Sequence, residues 1–129
     1  MSTRCNLIIK SGYRDNSRFI LYHHHDGYPE GVGVQLKKVI SKYQDWQIKQ
    51  YGLNIATGLI KDNVGLNDKE WEPALRLAGD IEYLYVLNCK SRTLRCFKVD
   101  YEDCGEKDII KRSRIVDIPE WDGGKTIYE

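Results

Sequence analysis

The hydrophobic pattern of this chain changes period abruptly across His23-His24-His25-Asp26-Gly27-Tyr28-Pro29-Glu30-Gly31-Val32-Gly33. Before that stretch, Cys5, Leu7 and Ile9 alternate with Asn6, Ile8 and Lys10, and Phe19, Ile20, Leu21 and Tyr22 form a second β-rich run. A period of two sends neighbouring side chains to opposite faces of a strand. Residues 11–17 (SGYRDNS) between the runs are turn chemistry, with Gly12 and Asp15-Asn16 able to take positive φ. Residues 4–23 therefore read as a hairpin. After the stretch, Val32, Leu36, Val39, Ile40 and Tyr43 fall at helical spacing, with Lys37, Lys38 and Lys42 opposite them.

Further on, Asp45 can cap a second helix whose stripe is Ile48, Tyr51, Ile55, Ala56, Leu59 and Ile60. Gly52 and Gly58 within it suggest close packing, and Asp62-Asn63-Val64-Gly65 ends it. In 66–79, Asn67 or Asp68 can cap a short helix, but Pro73 opposes anything long. Tyr83–Leu87 and Leu94–Val99 then read as strands joined by a tight connection, Lys90-Ser91-Arg92-Thr93, and Ile115–Ile118 as a last short strand before Pro119.

That order predicts an α+β domain: an antiparallel sheet of four to five strands, made of a hairpin, two helices and a second hairpin, with the helix pair packed on one face. No segment demands parallel strands, which disfavours a doubly wound nucleotide fold. At 129 residues, with 41% hydrophobic and 30% charged side chains, there is material for one globular domain, expected over 1–118. Residues 119–129 read as an acidic C-terminal tail. Charge is uneven: residues 1–99 carry 15 basic and 10 acidic groups, residues 100–129 carry 5 and 9. The acidic end can lie against its own domain or a partner, or remain solvated.

The total of +1 supports neither nucleic-acid nor membrane attraction, and no run is long enough for a spanning helix. Cys5, Cys89, Cys96 and Cys104 form no C-x-x-C pair, and no secretory signal opens the chain. A reducing, cytoplasmic setting with structural thiols is expected. Trp46, Trp71 and Trp121 read as packing anchors.

Residues 23–33 carry the candidate chemistry. If the strand reaches His25, His23 and His25 share a face and His24 takes the other. Pro29 suits a first helical turn, and Glu30 favours the positive end of the helix dipole. Gly27, Gly31 and Gly33 leave backbone amides open to close approach by a ligand or by the chain itself. Together with Tyr28 these residues can form an anion contact, although the pattern lacks the lysine and spacing of a P-loop. Alternatively His23, His25, Asp26 and Glu30 offer metal-ligand chemistry. A folding role also accounts for the same residues: glycines for tight packing, Asp26 as a turn former.

A second candidate lies in Gly79-Asp80-Ile81-Glu82-Tyr83-Leu84-Tyr85. Asp80 and Glu82 share a face if a strand begins at Asp80, where they can do acid–base work or keep a strand end soluble. Tyr83 and Tyr85 suit packing better than base stacking. Neither a Ser-His-Asp arrangement nor a nucleophile elbow is present.

The segments YHHHDGYPEGVG (22–33) and GDIEYLYVLN (79–88) resemble a family of small uncharacterised proteins of bacteria, phages and prophages. The likeness covers about three-quarters of the chain. It implies a cytoplasmic accessory protein carried on a mobile element, and it implies no catalytic residue. Members often have Trp or Ser where His24-His25 stands here.

Two function classes follow. One is a non-enzymatic binding domain for a protein partner, a small anionic ligand or its own copies, with no cofactor required. The other is a metal-dependent hydrolase of a phosphoester or amide, using His23, His25 and Asp26 with Asp80 or Glu82. The hydrolase requires the two segments to converge, since neither supplies enough ligands alone.

Overall fold

The computed structural model describes residues 3–10, 18–41, 56, 59, 71–89, 93–99 and 114–116. Six strands form one mixed sheet: β1 (Cys5–Lys10), β2 (Arg18–His23), β3 (Trp71–Ala74), β4 (Tyr83–Asn88), β5 (Thr93–Lys98) and β6 (Arg114–Val116). Their spatial order is β3-β2-β1-β4-β5-β6. A wide first turn at Pro29–Gly33, in which the Val34 amide reaches the Pro29 carbonyl, runs directly into α1 (Val34–Ser41).

This corrects the expected antiparallel sheet of four to five strands under a helix pair. The two hairpins form as the alternation indicates, β1 with β2 and β4 with β5, but they join through a parallel pairing of β1 with β4. The physical reason lies in β1, whose side chains from Cys5 to Ile9 are all buried. A strand buried on both faces reads as a nearly continuous apolar run and suits a parallel neighbour, whereas the alternating reading gave it one wet face.

The ambiguous stretch contains β3, an edge strand pairing with β2. Pro73 is tolerated there because an edge strand needs no N–H on its outer side. Of the second helix, only Ala56 and Leu59 are described; both are helical and buried, so the sole continuous helix among the described residues is the 29–41 segment. Trp46, Trp121, Cys104, the 11–17 turn, the 62–65 stop, the 90–92 connection and the 119–129 tail lie outside the described residues. No helix among the described residues is long and apolar enough to cross a membrane.

Register divides the sheet into two apolar layers. Cys5, Leu7, Ile9, Leu21, Trp71, Tyr85, Leu87 and Cys96 face one side, where Val32, Leu36, Ala56 and Leu59 close over them. Ile8, Leu84, Val86 and Phe97 face the other, where Leu77, Ala78 and Ile81 pack on them. These last three belong to the segment 75–82, which carries the chain from β3 past β2 and β1 to β4, roughly 14 Å at ordinary strand spacing.

Asn6 fastens that crossing. Its side chain is fully buried; Oδ1 accepts from the Ala78 amide at 2.8 Å, and Nδ2 donates to the Leu21 carbonyl at 2.9 Å. The substitution Asn6→Ala strands a part-buried donor at Ala78 and a buried acceptor at Leu21, and should cost about 1–3 kcal/mol in urea denaturation. A loss below about 0.5 kcal/mol would show that the crossing does not depend on this side chain.

Cys5, Cys89 and Cys96 are buried free thiols, as the sequence indicates. Burial pushes all three up, Cys89 to about 11 and Cys96 to about 12. For Cys5, the neighbouring Cys96 adds to the effect. The unfolded thiols ionise near about pH 8.5. Between there and the folded values the unfolded state holds fewer protons, so stability must fall as pH rises. Under reducing conditions, the urea midpoint should be lower at about pH 10 than at about pH 7, and equal midpoints would contradict the burial of these thiols.

Candidate functional site

At the end of the sheet where β2 stops, β1 and β4 start, and the helix begins, the two sequence segments meet. β2 ends at His23, short of His25, so the expected sharing of a face by His23 and His25 does not arise. His23 turns inward and is 2% exposed; its ring stands edge-on to Trp71 at 4.7 Å. Its Nδ1 lies 2.6 Å from the His25 carbonyl. A carbonyl only accepts, so Nδ1 carries a proton. His24 is exposed and His25 half-buried, their rings perpendicular at 4.6 Å.

Asp26 reverses the chain. It holds φ at 55°, a left-handed conformation that Asp tolerates better than most residues. Its carbonyl accepts from the Val32 amide at 2.9 Å, closing the turn on the helix start. Gly27 comes next and lies hard against β1. Its amide donates to the Thr3 carbonyl at 2.9 Å, and its carbonyl accepts from the Tyr85 hydroxyl at 2.7 Å. A Cβ there would stand 2.9 Å from both the Cys5 Cβ and the Thr3 carbonyl oxygen. Gly31 meets the same limit, since its Cβ would lie 2.6 Å from the Asp26 carbonyl oxygen.

The glycines thus serve close approach within the chain. The amides of Gly27, Gly31, Val32 and Val34 donate to Thr3, Tyr28, Asp26, and Pro29 with Gly31, respectively. None of these four is left to cradle an anion. Gly33 is buried with Val32 and Pro29. Outside this locked backbone stand the side chains of His24, Asp26, Tyr28 and Glu30, all exposed. The Tyr28 hydroxyl donates to Asp26 Oδ1 at 3.3 Å. That carboxylate, then slight burial, the hydrogen bond and Glu30 push the phenol up.

Asp80 belongs to a turn and not to β4, so it does not alternate with Glu82 along a strand. It pairs instead with Arg4, Oδ2 to Nε at 3.3 Å. Glu82 is joined through its backbone: its amide donates to the Arg4 carbonyl, and its carbonyl accepts from Val99. Tyr85 lies wholly in the core and Tyr83 is half-buried, so neither is an open stacking surface.

The sequence reading missed what Arg4 connects. Arg4 also acts through its charge on the Tyr22 phenol, whose hydroxyl lies 2.9 Å from His24 Nδ1. Burial and then Asp80 push that phenol up; Arg4 opposes them, and Glu72 adds to the rise. The even spacing of Tyr22 and His24 carried the signal, but the sequence placed His24 only on the face opposite His23 and gave it no contact. Arg4 and Glu72 carried no local signal at all.

Among the described residues, no three His, Cys, Asp or Glu side chains gather closely enough to hold a metal ion. His23 faces inward while Asp26 faces solvent, and Asp80 pairs with Arg4, so the proposed hydrolase ligands are dispersed.

Two substitutions test the pinning of the turn. Gly27→Ala should destabilise the protein by about 1–3 kcal/mol through overpacking against backbone. Tyr85→Phe should cost about 1–3 kcal/mol by leaving the Gly27 carbonyl without its buried donor. Equilibrium denaturation measures both, and neutral outcomes would mean the turn is not held to β1 and β4. No family model, curated protein or solved structure matches this chain.

Proposed function

We propose that this chain is a non-enzymatic binding domain, a cytoplasmic accessory protein that contacts a protein partner through the turn 24–30. One observation carries the reading: a backbone locked to the two central strands holds an exposed tyrosine, an exposed imidazole and two exposed carboxylates. Tyr28 is 39% exposed at the helix start, an amphipathic ring with few rotatable bonds. A rigid support lowers the entropy lost on association, so such a turn binds without first having to order itself. The resemblance of its two motifs to bacterial and phage proteins supports an accessory role on a mobile element.

A small anionic ligand is less favoured, because the Gly27, Gly31, Val32 and Val34 amides are already engaged. The hydrolase is not favoured, because its ligands do not gather among the described residues.

Affinity enrichment from host lysate, with wild type run beside a His24→Ala, Tyr28→Ala double variant, tests the reading. Both side chains are exposed, so the double variant should unfold within about 0.5 kcal/mol of wild type. The expected outcome is a stoichiometric protein that wild type retains and the folded variant loses. Equal recovery on both, or no specific protein on wild type, would refute the turn as the contact.

A further inference from the structure

We infer that Tyr83, Lys98 and Arg114 form a binding site for a phosphate monoester, built from side chains on β4, β5 and β6 and separate from the engaged amides of the turn.

Register places the three together. Tyr83 pairs with Lys98 across β4 and β5, and Lys98 pairs with Arg114 across β5 and β6. Directly paired residues point to one face, so the three side chains stand in a single row at intervals of about 5 Å. Tyr83 packs on the helix-side core, which fixes the face. Cys96 and Val116, paired in the next row on that face, give the site an apolar floor.

Two cations directly opposite one another in an antiparallel pair repel, and a chain that keeps them has an uncompensated charge at that point. Lys10 and Arg18 are opposed in the same way on β1 and β2, but each makes further interactions. Among the described residues, neither Lys98 nor Arg114 forms an ion pair. The phenol beside them is equally unused. The hydroxyls of Tyr22, Tyr28 and Tyr85 each have a hydrogen-bond partner, whereas that of Tyr83, half-buried, has none among the described residues.

Three adjacent groups therefore offer donors without an acceptor: a guanidinium fork, an ammonium and a phenol. A carboxylate would neutralise one cation and leave the other. A phosphate monoester carries nearly two charges near neutral pH and three acceptor oxygens, enough for one oxygen on each donor group. Arg114 is exposed, so the ligand enters from solvent and meets the planar fork first; Lys98 is half-buried, where its charge is less screened. Glu30 and Glu82 also bear on Tyr83 through charge, but both are exposed and neither pairs with a cation of the row. Solvent and salt weaken their opposition.

Titration of the full chain with inorganic phosphate at about pH 7.5, followed by NMR of the Lys98 and Arg114 side-chain nitrogens and the β5 and β6 amides, tests the site. The expected result is saturable binding, at least about fivefold tighter than that of acetate, with the β2 amides unmoved. Lys98→Gln and Arg114→Gln should each weaken it at least about tenfold, and Tyr83→Phe about threefold. Either cation variant should keep a urea midpoint at or above that of wild type, because it removes a repulsion, so lost binding will not report lost folding. A phosphoserine peptide and a hexose phosphate should both displace inorganic phosphate, and the tighter of the two identifies whether the group is carried by a protein or a small molecule. Phosphate shifts no stronger than those of acetate, binding unchanged in Lys98→Gln and Arg114→Gln, or failure of both monoesters to compete would overturn the site.

Discussion

A side chain at position 27 has no room. The close approach of Gly27 to the start of β1 allows the turn to donate to Thr3 and accept from Tyr85, so a single residue ties the chain to both central strands. Those strands are the parallel pair that merges two hairpins into one sheet. The helix inherits its starting point from the same pin, since Asp26 reverses immediately before Gly27 and its carbonyl receives Val32. Packing of Val32 and Leu36 on the sheet follows from that geometry.

The pin also separates two roles that the sequence mixes within a few residues. Inward groups are satisfied by the chain itself: His23 by the His25 carbonyl and Trp71, the Gly27 and Gly31 amides by backbone carbonyls. Outward groups are side chains on a fixed frame. A salt bridge as exposed as Arg4–Asp80, with 34% and 62% of the two side chains accessible, adds little stability.

Local pattern made much of this legible. Alternation marked both hairpins, helical spacing marked the stripe from Val32 to Ile40, and apolar context marked the buried thiols. Pairing between distant strands left no local trace. A run such as Cys5–Ile9 suits a half-exposed antiparallel strand almost as well as a doubly buried parallel one, and only the covering of Ile8 from the other face distinguishes them. Pro73 concealed β3, because proline argues against a strand until the strand is known to be an edge. Asn6 looked like the polar half of an alternation and proved to be the fastening of the crossing. At the junction, the glycines and Asp26 were recognisable as special, yet whether their amides faced a ligand or the chain depended on Thr3 and Tyr85, far away in sequence. Arg4 and Glu72 had no pattern to betray them.

Hydrogen exchange at single amides tests the locked turn most directly. Gly27 and Val32 donate to backbone carbonyls that are part of the pinned frame, so their amides should exchange as slowly as the β1 amides, through the same cooperative opening. Exchange at Gly27 and Val32 at the rate of an unstructured loop, with β1 still protected, would contradict the account. The junction would then be a pliant segment in place of a fixed platform.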